Sequence, residues 1–349
     1  MAPPSRLGGF REGRGWGRIP PVLLHGGRVT TCSTHEEKME IVYKYLPMMN
    51  LEYIDNPTIK LSQAEHLNDP FESNPCDNIY ESIKHIRLKV GFSNDEAERH
   101  ANEYRVSIKN RLTLNGIVSF SETPRNSLMW AHYGNHHHGI CIGFKKNLFD
   151  DLQLKESTFN VSVPTPRKVN YDNFRMEDDY EVKDIKNEIN ELISHHLFTK
   201  SDEWIYEKEH RSIIPLSAAK KVKLVNPEST YQLQSDHIKN AKDLILHLIS
   251  KNELTHSEEE NVYNIAHSEN MDATMFMMAS CNAGIIFLID VNPSHIDSIY
   301  LGCKVKTDLI TQFKQRIANS YNKSIKLYKF NVSTTRFELI SERVNVKES

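Results

Sequence analysis

NGIVSFSETPRNSLMWAHYGNHHHGICIGF, residues 115–144, sets two apolar stretches around a short segment dense in aromatic and hydrogen-bonding side chains. Ile117, Val118 and Phe120 alternate with Ser119 and Ser121, which predicts a strand. Ile140, Cys141, Ile142 and Phe144 form a second short apolar run, closed by Gly143 and the pair Lys145-Lys146. Between them, Ser127 to Tyr133 reads as about two turns of helix ended by Gly134. Two core strands with Ser121, Trp130, His132 and Tyr133 between them have the composition of a site.

Working outward, Ile41 to Leu46 predicts a strand with Tyr43 and Tyr45 on one face and Val42 and Lys44 on the other. Thr58 to Leu61 reads as a second strand, Ser62 to Leu67 as a helical turn. Asn68-Asp69-Pro70-Phe71-Glu72 is then a corner, because Asn and Asp before Pro bond nearby amides while Pro presets its own torsion. Asn68, Asp69 and Glu72 make it a candidate substrate loop. Helices are expected at 78–89, 94–111, 180–198 and 236–250, a polar helix near 256–267, and one capped by Thr307 to about Ala318. Further strands are expected at 167–171, 284–290 and 296–301, with edge strands at 325–330 and 336–340. The second concentration of chemistry is DEWIYEKEHRSIIP, residues 202–215. As a strand it sets Glu207, Glu209 and Arg211 on one face at steps of about 7 Å. As a helix it leaves Glu207 and Arg211 as an exposed (i, i+4) pair.

The chain has 349 residues, 39% hydrophobic and 26% charged, with a formal net charge of −3. That balance gives no global field for nucleic acid, although local basic patches are compatible with it. Five cysteines without a CxxC pair fit a reducing cytoplasm. The longest apolar run, 283–289, is far shorter than the ~20 residues of a membrane span, so no membrane segment is expected. The first 34 residues hold seven of the 14 glycines and five arginines but no lysine. Residues 1–38 are therefore expected to be a disordered Arg/Gly/Pro-rich tail upstream of a native start near Met39, with an organelle-targeting peptide or basic arm as alternatives. Residues 39–345 are expected to form a single α+β domain with a mixed, largely antiparallel sheet core and helical insertions. No glycine fingerprint of a phosphate loop is present.

Tyr43-Lys44-Tyr45, the Asn68–Glu72 corner, Ser119-Phe120-Ser121, Leu128 to Tyr133, Gly139 to Phe144 and Trp204 to Arg211 together resemble the bacterial domain-of-unknown-function family 2971 over roughly Ile41 to Ile340. More distantly, the order of these groups is similar to that of ADP-ribosyltransferase folds. That resemblance implies NAD as substrate, with Tyr43 or Tyr45 in the first-strand position, Tyr133 or Trp130 stacking on nicotinamide, and Glu207 or Glu209 as the catalytic acid. The first strand lacks the His or Arg that such transferases often carry. An NAD-consuming transferase or glycohydrolase, acting as a toxin or phage-defence effector on an unspecified macromolecular acceptor, is the leading expectation. The alternatives are a metal-dependent hydrolase or nuclease built on His132 and His136 to His138, and a non-catalytic ligand-binding module. Gly134 and Asn135 break the helix between those histidines and no HExxH pattern exists, so no metal is expected. His132 is left as a candidate general acid or base.

Overall fold

In chain order the strands are β1 (Ile41–Leu46), β2 (Thr58–Leu61), β3 (Asn115–Ser121), β4 (Ile140–Lys145), β5 (Val163–Lys168), β6 (Asn170–Tyr171), β7 (Thr199–Lys200), β8 (Glu209–Pro215), β9 (Lys221–Leu224), β10 (Leu254–His256), β11 (Val262–Ile265), β12 (Ile285–Asp290), β13 (Ile296–Leu301), β14 (Lys326–Val332) and β15 (Leu339–Val344). The helices are α1 (Asp77–Lys89), α2 (Asn94–Leu114), α3 (Ser127–His132), α4 (Glu188–Leu197), α5 (Ala241–Ser250), α6 (Met271–Ala279) and α7 (Thr307–Asn319). The computed structural model describes residues 40–152, 154, 161–177, 180, 182, 187–230, 237–266, 271–281 and 283–346. The expected tail, residues 1–38, lies outside them, as does part of each helix expected at 180–198 and 236–250.

Eight strands form one curled sheet in the order β15-β14-β13-β4-β1-β3-β8-β5, antiparallel except for β13 and β14. That parallel pair is joined through α7, as a parallel connection requires a crossover. A second, antiparallel sheet runs β10-β11-β9-β12-β2. The class is α+β, as the sequence predicts. No helix among the described residues is long and apolar enough to cross a membrane.

The sheets meet where Ser62 and Ile117 exchange backbone hydrogen bonds at 3.1 and 2.7 Å. A Cβ on the neighbouring Gly116 would stand 2.5 Å from the Leu61 Cβ, so this approach needs glycine. Between the sheets lies the largest core, with Val42, Ile142 and Phe144 on one side and Leu61, Val222 and Phe287 on the other. A second core fixes α1, α2 and α4 against Ile117 and Ile213. A third, of Tyr45, Met129, Trp130, Cys141, Phe330 and Leu339, holds α3 on the large sheet.

Three expectations change. Residues 256–265 of the segment predicted as a polar helix near 256–267 belong instead to the β10/β11 hairpin, turned by Asn261 at φ 58°. Buried Leu254, Val262 and Ile265 anchor it, so tertiary pairing overrides the polar composition. Thr307 opens α7 but does not cap it, since Lys306 holds the cap position without a side-chain bond. Residues 202–207 form a 3-10 helix, and the strand begins only at Glu209.

Candidate functional site

Strand β1 pairs with β3 at a single rung, Tyr43 with Ser121. Beyond it the strands part, and the Lys44 ammonium donates to the Ser119 carbonyl at 3.0 Å. A cavity of about 240 Å³ fills this split and is lined by residues from both faces of β1, Tyr43 and Tyr45 as well as Lys44. Alternation alone puts Lys44 opposite the tyrosines. The split brings them to one hollow.

The acidic wall comes from three segments. In the corner, the Phe71 amide donates to Asp69 Oδ1 at 3.0 Å, a turn that leaves Phe71 exposed and Glu72 buried. On β8, Glu209 and Arg211 share a face by strand alternation. Lys208, at φ 47°, turns the chain between the 3-10 helix and β8 and returns Glu207 to the same cavity. Ser121 Oγ fixes that turn by donating to the Glu207 carbonyl at 2.8 Å.

These carboxylates form a closed cluster. Arg211 donates to Glu209 Oε1 at 2.7 Å and Oε2 at 2.9 Å, to Glu72 Oε1 at 2.6 Å and to the Leu197 carbonyl at 2.7 Å. Lys200 Nζ lies 2.7 Å from Glu207 Oε2, 3.3 Å from Glu209 Oε2 and 3.5 Å from Glu72 Oε1. All five side chains are at most 6% exposed. Burial by itself raises the Glu209 pKa, but Arg211 and then Lys200 outweigh it and bring it down to about 2. Burial pushes Glu72 upward, with Arg211 opposing. Glu72 Oε2 has no hydrogen-bond partner among the described residues.

Glu207 is held differently. Its Oε1 accepts from the Tyr133 hydroxyl at 2.5 Å, and that hydroxyl accepts from Asn68 Nδ2 at 2.9 Å. Burial, and then the bond to Glu207, raise the Tyr133 pKa. Across the cavity, Lys44 has no carboxylate within salt-bridge distance among the described residues, and burial lowers its pKa to about 8.

Of the residues singled out from sequence, Tyr43, Tyr45, Asn68, Glu72, Ser121, Tyr133, Glu207, Glu209 and Arg211 line this one cavity. Three do not. Trp130 is fully buried, edge-on to Tyr45 at 5.2 Å and to Phe330 at 5.5 Å, with its indole N–H donating to the Pro124 carbonyl; it is core, not a stacking platform. Asp69 shapes the corner and lines a neighbouring cavity with Phe71 and Arg175. His132 is exposed, its ring 6.1 Å from that of Tyr206, so it does not reach the cavity as an acid or base. Asn135, His136 and His137 take positive φ in a turn, and no group of three or more His, Cys, Asp or Glu placed to hold a metal occurs among the described residues. Sequence reasoning missed Lys200, which follows an apolar helix without any local signal, and the role of Lys44.

No curated protein and no solved structure matches the chain. The sequence model of the family described as "Protein of unknown function (DUF2971)" matches residues 129–212. That span begins on α3, ends on β8, and contains Tyr133, Lys200, Glu207, Glu209 and Arg211. Residues 129–212, which carry most of the cavity's charged wall, are thus the part of the chain that matches the model of this family of unknown function.

Proposed function

We propose that the cavity cleaves the nicotinamide–ribose bond of NAD, as a glycohydrolase or as a transferase with an ADP-ribosyltransferase-like site. The observation that carries this reading is the convergence of Tyr43, Tyr45 and Tyr133 with a buried carboxylate, Glu207, in one hollow. Breaking the bond between ribose C1′ and the nicotinamide ring nitrogen sends its electron pair to that nitrogen and builds positive charge on the ribose. A preorganised carboxylate lowers the cost of that charge in a site with little water. An oxygen of water or of an acceptor then bonds to C1′ and releases its proton by way of Glu207.

The bonding pattern divides the two glutamates. Both oxygens of Glu209 are held by Arg211 and Lys200, which makes it a positioning residue. Among the described residues Glu207 Oε1 is held only by the Tyr133 hydroxyl, which a ribose hydroxyl can replace. Glu207 is therefore the group offered to substrate. At about 240 Å³ the cavity is smaller than the roughly 300–1,000 Å³ of whole-ligand sites, so it takes the nicotinamide–ribose end and leaves the rest of the dinucleotide outside. Cys76, Cys141, Cys281 and Cys303, all free among the described residues, suit the cytoplasmic setting in which a toxin or phage-defence effector consumes NAD.

Nicotinamide release from NAD by the full chain tests this. Glu207→Gln is expected to lower the rate roughly a hundredfold or more with the fold intact. Unchanged turnover in that variant overturns the assigned role.

A further inference from the structure

The large sheet continues past the cavity along a row of aromatic side chains. Tyr43 faces Gly143 on β4, Gly143 faces Ser298 on β13, and beside that rung Tyr300 faces Tyr328 on β14, which faces Arg343 on β15. Tyr43 meets Tyr300 edge-on at 5.9 Å, and Tyr300 stacks on Tyr328 at 4.7 Å with ring planes 10° apart. A Cβ at Gly143 would stand 2.4 Å from Ser298 Oγ and 3.3 Å from the Tyr43 ring, so glycine keeps the floor between them low. Helix α3 covers the Phe330 end of this face, while Tyr43, Tyr300 and Tyr328 stay half-buried. From β1 to β15 the row spans on the order of 20 Å, four inter-strand steps.

Charge changes sign along the same direction. Residues 301–346 hold nine lysines and arginines against three acidic residues, in a chain whose net charge is −3. Asp297 neutralises Lys326 at 2.8 Å, Arg316 pairs with Asp55, and Arg336 lies 3.7 Å from Glu338. Lys304, Lys306, Lys323 and Arg343 are exposed and have no carboxylate within 4.0 Å among the described residues. Lys323, Lys326, Arg343 and Asn345 line a cavity of about 670 Å³ at the end of β14 and β15.

We infer that this face binds single-stranded nucleic acid, with a base continuing the Tyr300–Tyr328 stack on the β15 side and phosphates at Arg343 and Lys323. Stacking on sheet aromatics beside exposed cations is the chemistry by which single strands are held without sequence readout. The aromatic half of the surface favours a polymer with bases over polyphosphate, an acidic peptide or an anionic membrane, none of which has a flat ring to add to the stack. The inference stands apart from the NAD reading, because neither Arg343 nor Lys323 lines the candidate cavity.

Fluorescence anisotropy of labelled dT and rU 20-mers with the full chain tests it. Binding in the micromolar range is expected, weakening as salt rises and falling roughly tenfold or more in Lys323→Glu/Arg343→Glu. Tyr328→Leu is expected to weaken the oligonucleotides but leave any binding of inorganic polyphosphate unchanged, because only bases stack. Preference for dT over rU, or the reverse, identifies which polymer is held, and either supports the inference. Four outcomes overturn it: no binding of either oligomer at low salt, binding indifferent to the double charge reversal, polyphosphate competing as well as the oligonucleotides, or equal binding to vesicles containing anionic lipid.

Discussion

The acidic wall of the cavity and the outer edge at β14 and β15 treat charge in opposite ways. Inside, Glu72, Glu207 and Glu209 are matched to Arg211 and Lys200 at 2.6–3.5 Å, and nearly all of their bonding is satisfied by the protein. At the edge, Lys323 and Arg343 face solvent without a partner among the described residues. Buried charges must be paired where they stand, so they fix geometry. Exposed charges need no internal partner and remain available to an outside one.

The sharpest way to break this contrast is to remove one partner from the closed cluster. Arg211→Met leaves Glu72 and Glu209 buried without their guanidinium and is expected to cost about 3–5 kcal/mol in denaturant unfolding. A loss below about 1 kcal/mol would mean that the cluster relaxes to water and is not closed.

Lys44 stands between the two regimes, a cation in the cavity with one backbone acceptor. Its folded pKa, about 8, lies below the ordinary 10.5 of lysine. The unfolded chain therefore binds the extra proton between these values, and this residue makes stability rise with pH across that window. Below pH 8 the charged amine is a cost, so Lys44→Met is expected to stabilise the protein at pH 7 by about 1 kcal/mol. The advantage should shrink as pH climbs from 8 toward 10.5. Thermal unfolding of both proteins at pH 7 and 10 checks the sign, and an advantage that grows with pH contradicts the placement of Lys44.

The smallest expected effect is on the open edge. Lys323→Glu/Arg343→Glu should change unfolding stability by no more than about 0.5 kcal/mol, because neither side chain completes an internal contact. A larger loss would show that these cations serve the fold after all.

Much of this architecture can be read from local pattern. The strands at 115–121 and 140–145 announce themselves because a short apolar run between turn residues has few other ways to bury itself. Glu207, Glu209 and Arg211 were recognisable as one surface because side chains two apart in a strand share a face, although Glu207 arrives there through the left-handed Lys208 and not through strand alternation. Trp130 misleads for a physical reason: its large ring and single donor fit a ligand platform or a core equally well, and only the packing of Phe330, some 200 residues away, decides. Lys200 was invisible because its meaning lies wholly in carboxylates contributed by other segments. The split between β1 and β3 is lined by Ser62 and Ile117, whose bridge joins the two sheets, a long-range contact that no local period encodes.

The most direct measurement is a structure of the full chain with an NAD analogue whose nicotinamide–ribose bond resists cleavage. The account predicts the ribose in the split between β1 and β3, one hydroxyl at Glu207 Oε1 in place of the Tyr133 hydroxyl, and the nicotinamide ring against Tyr43, Tyr45 or Tyr133. An analogue seated elsewhere, with the Tyr133–Glu207 bond undisturbed, would contradict it.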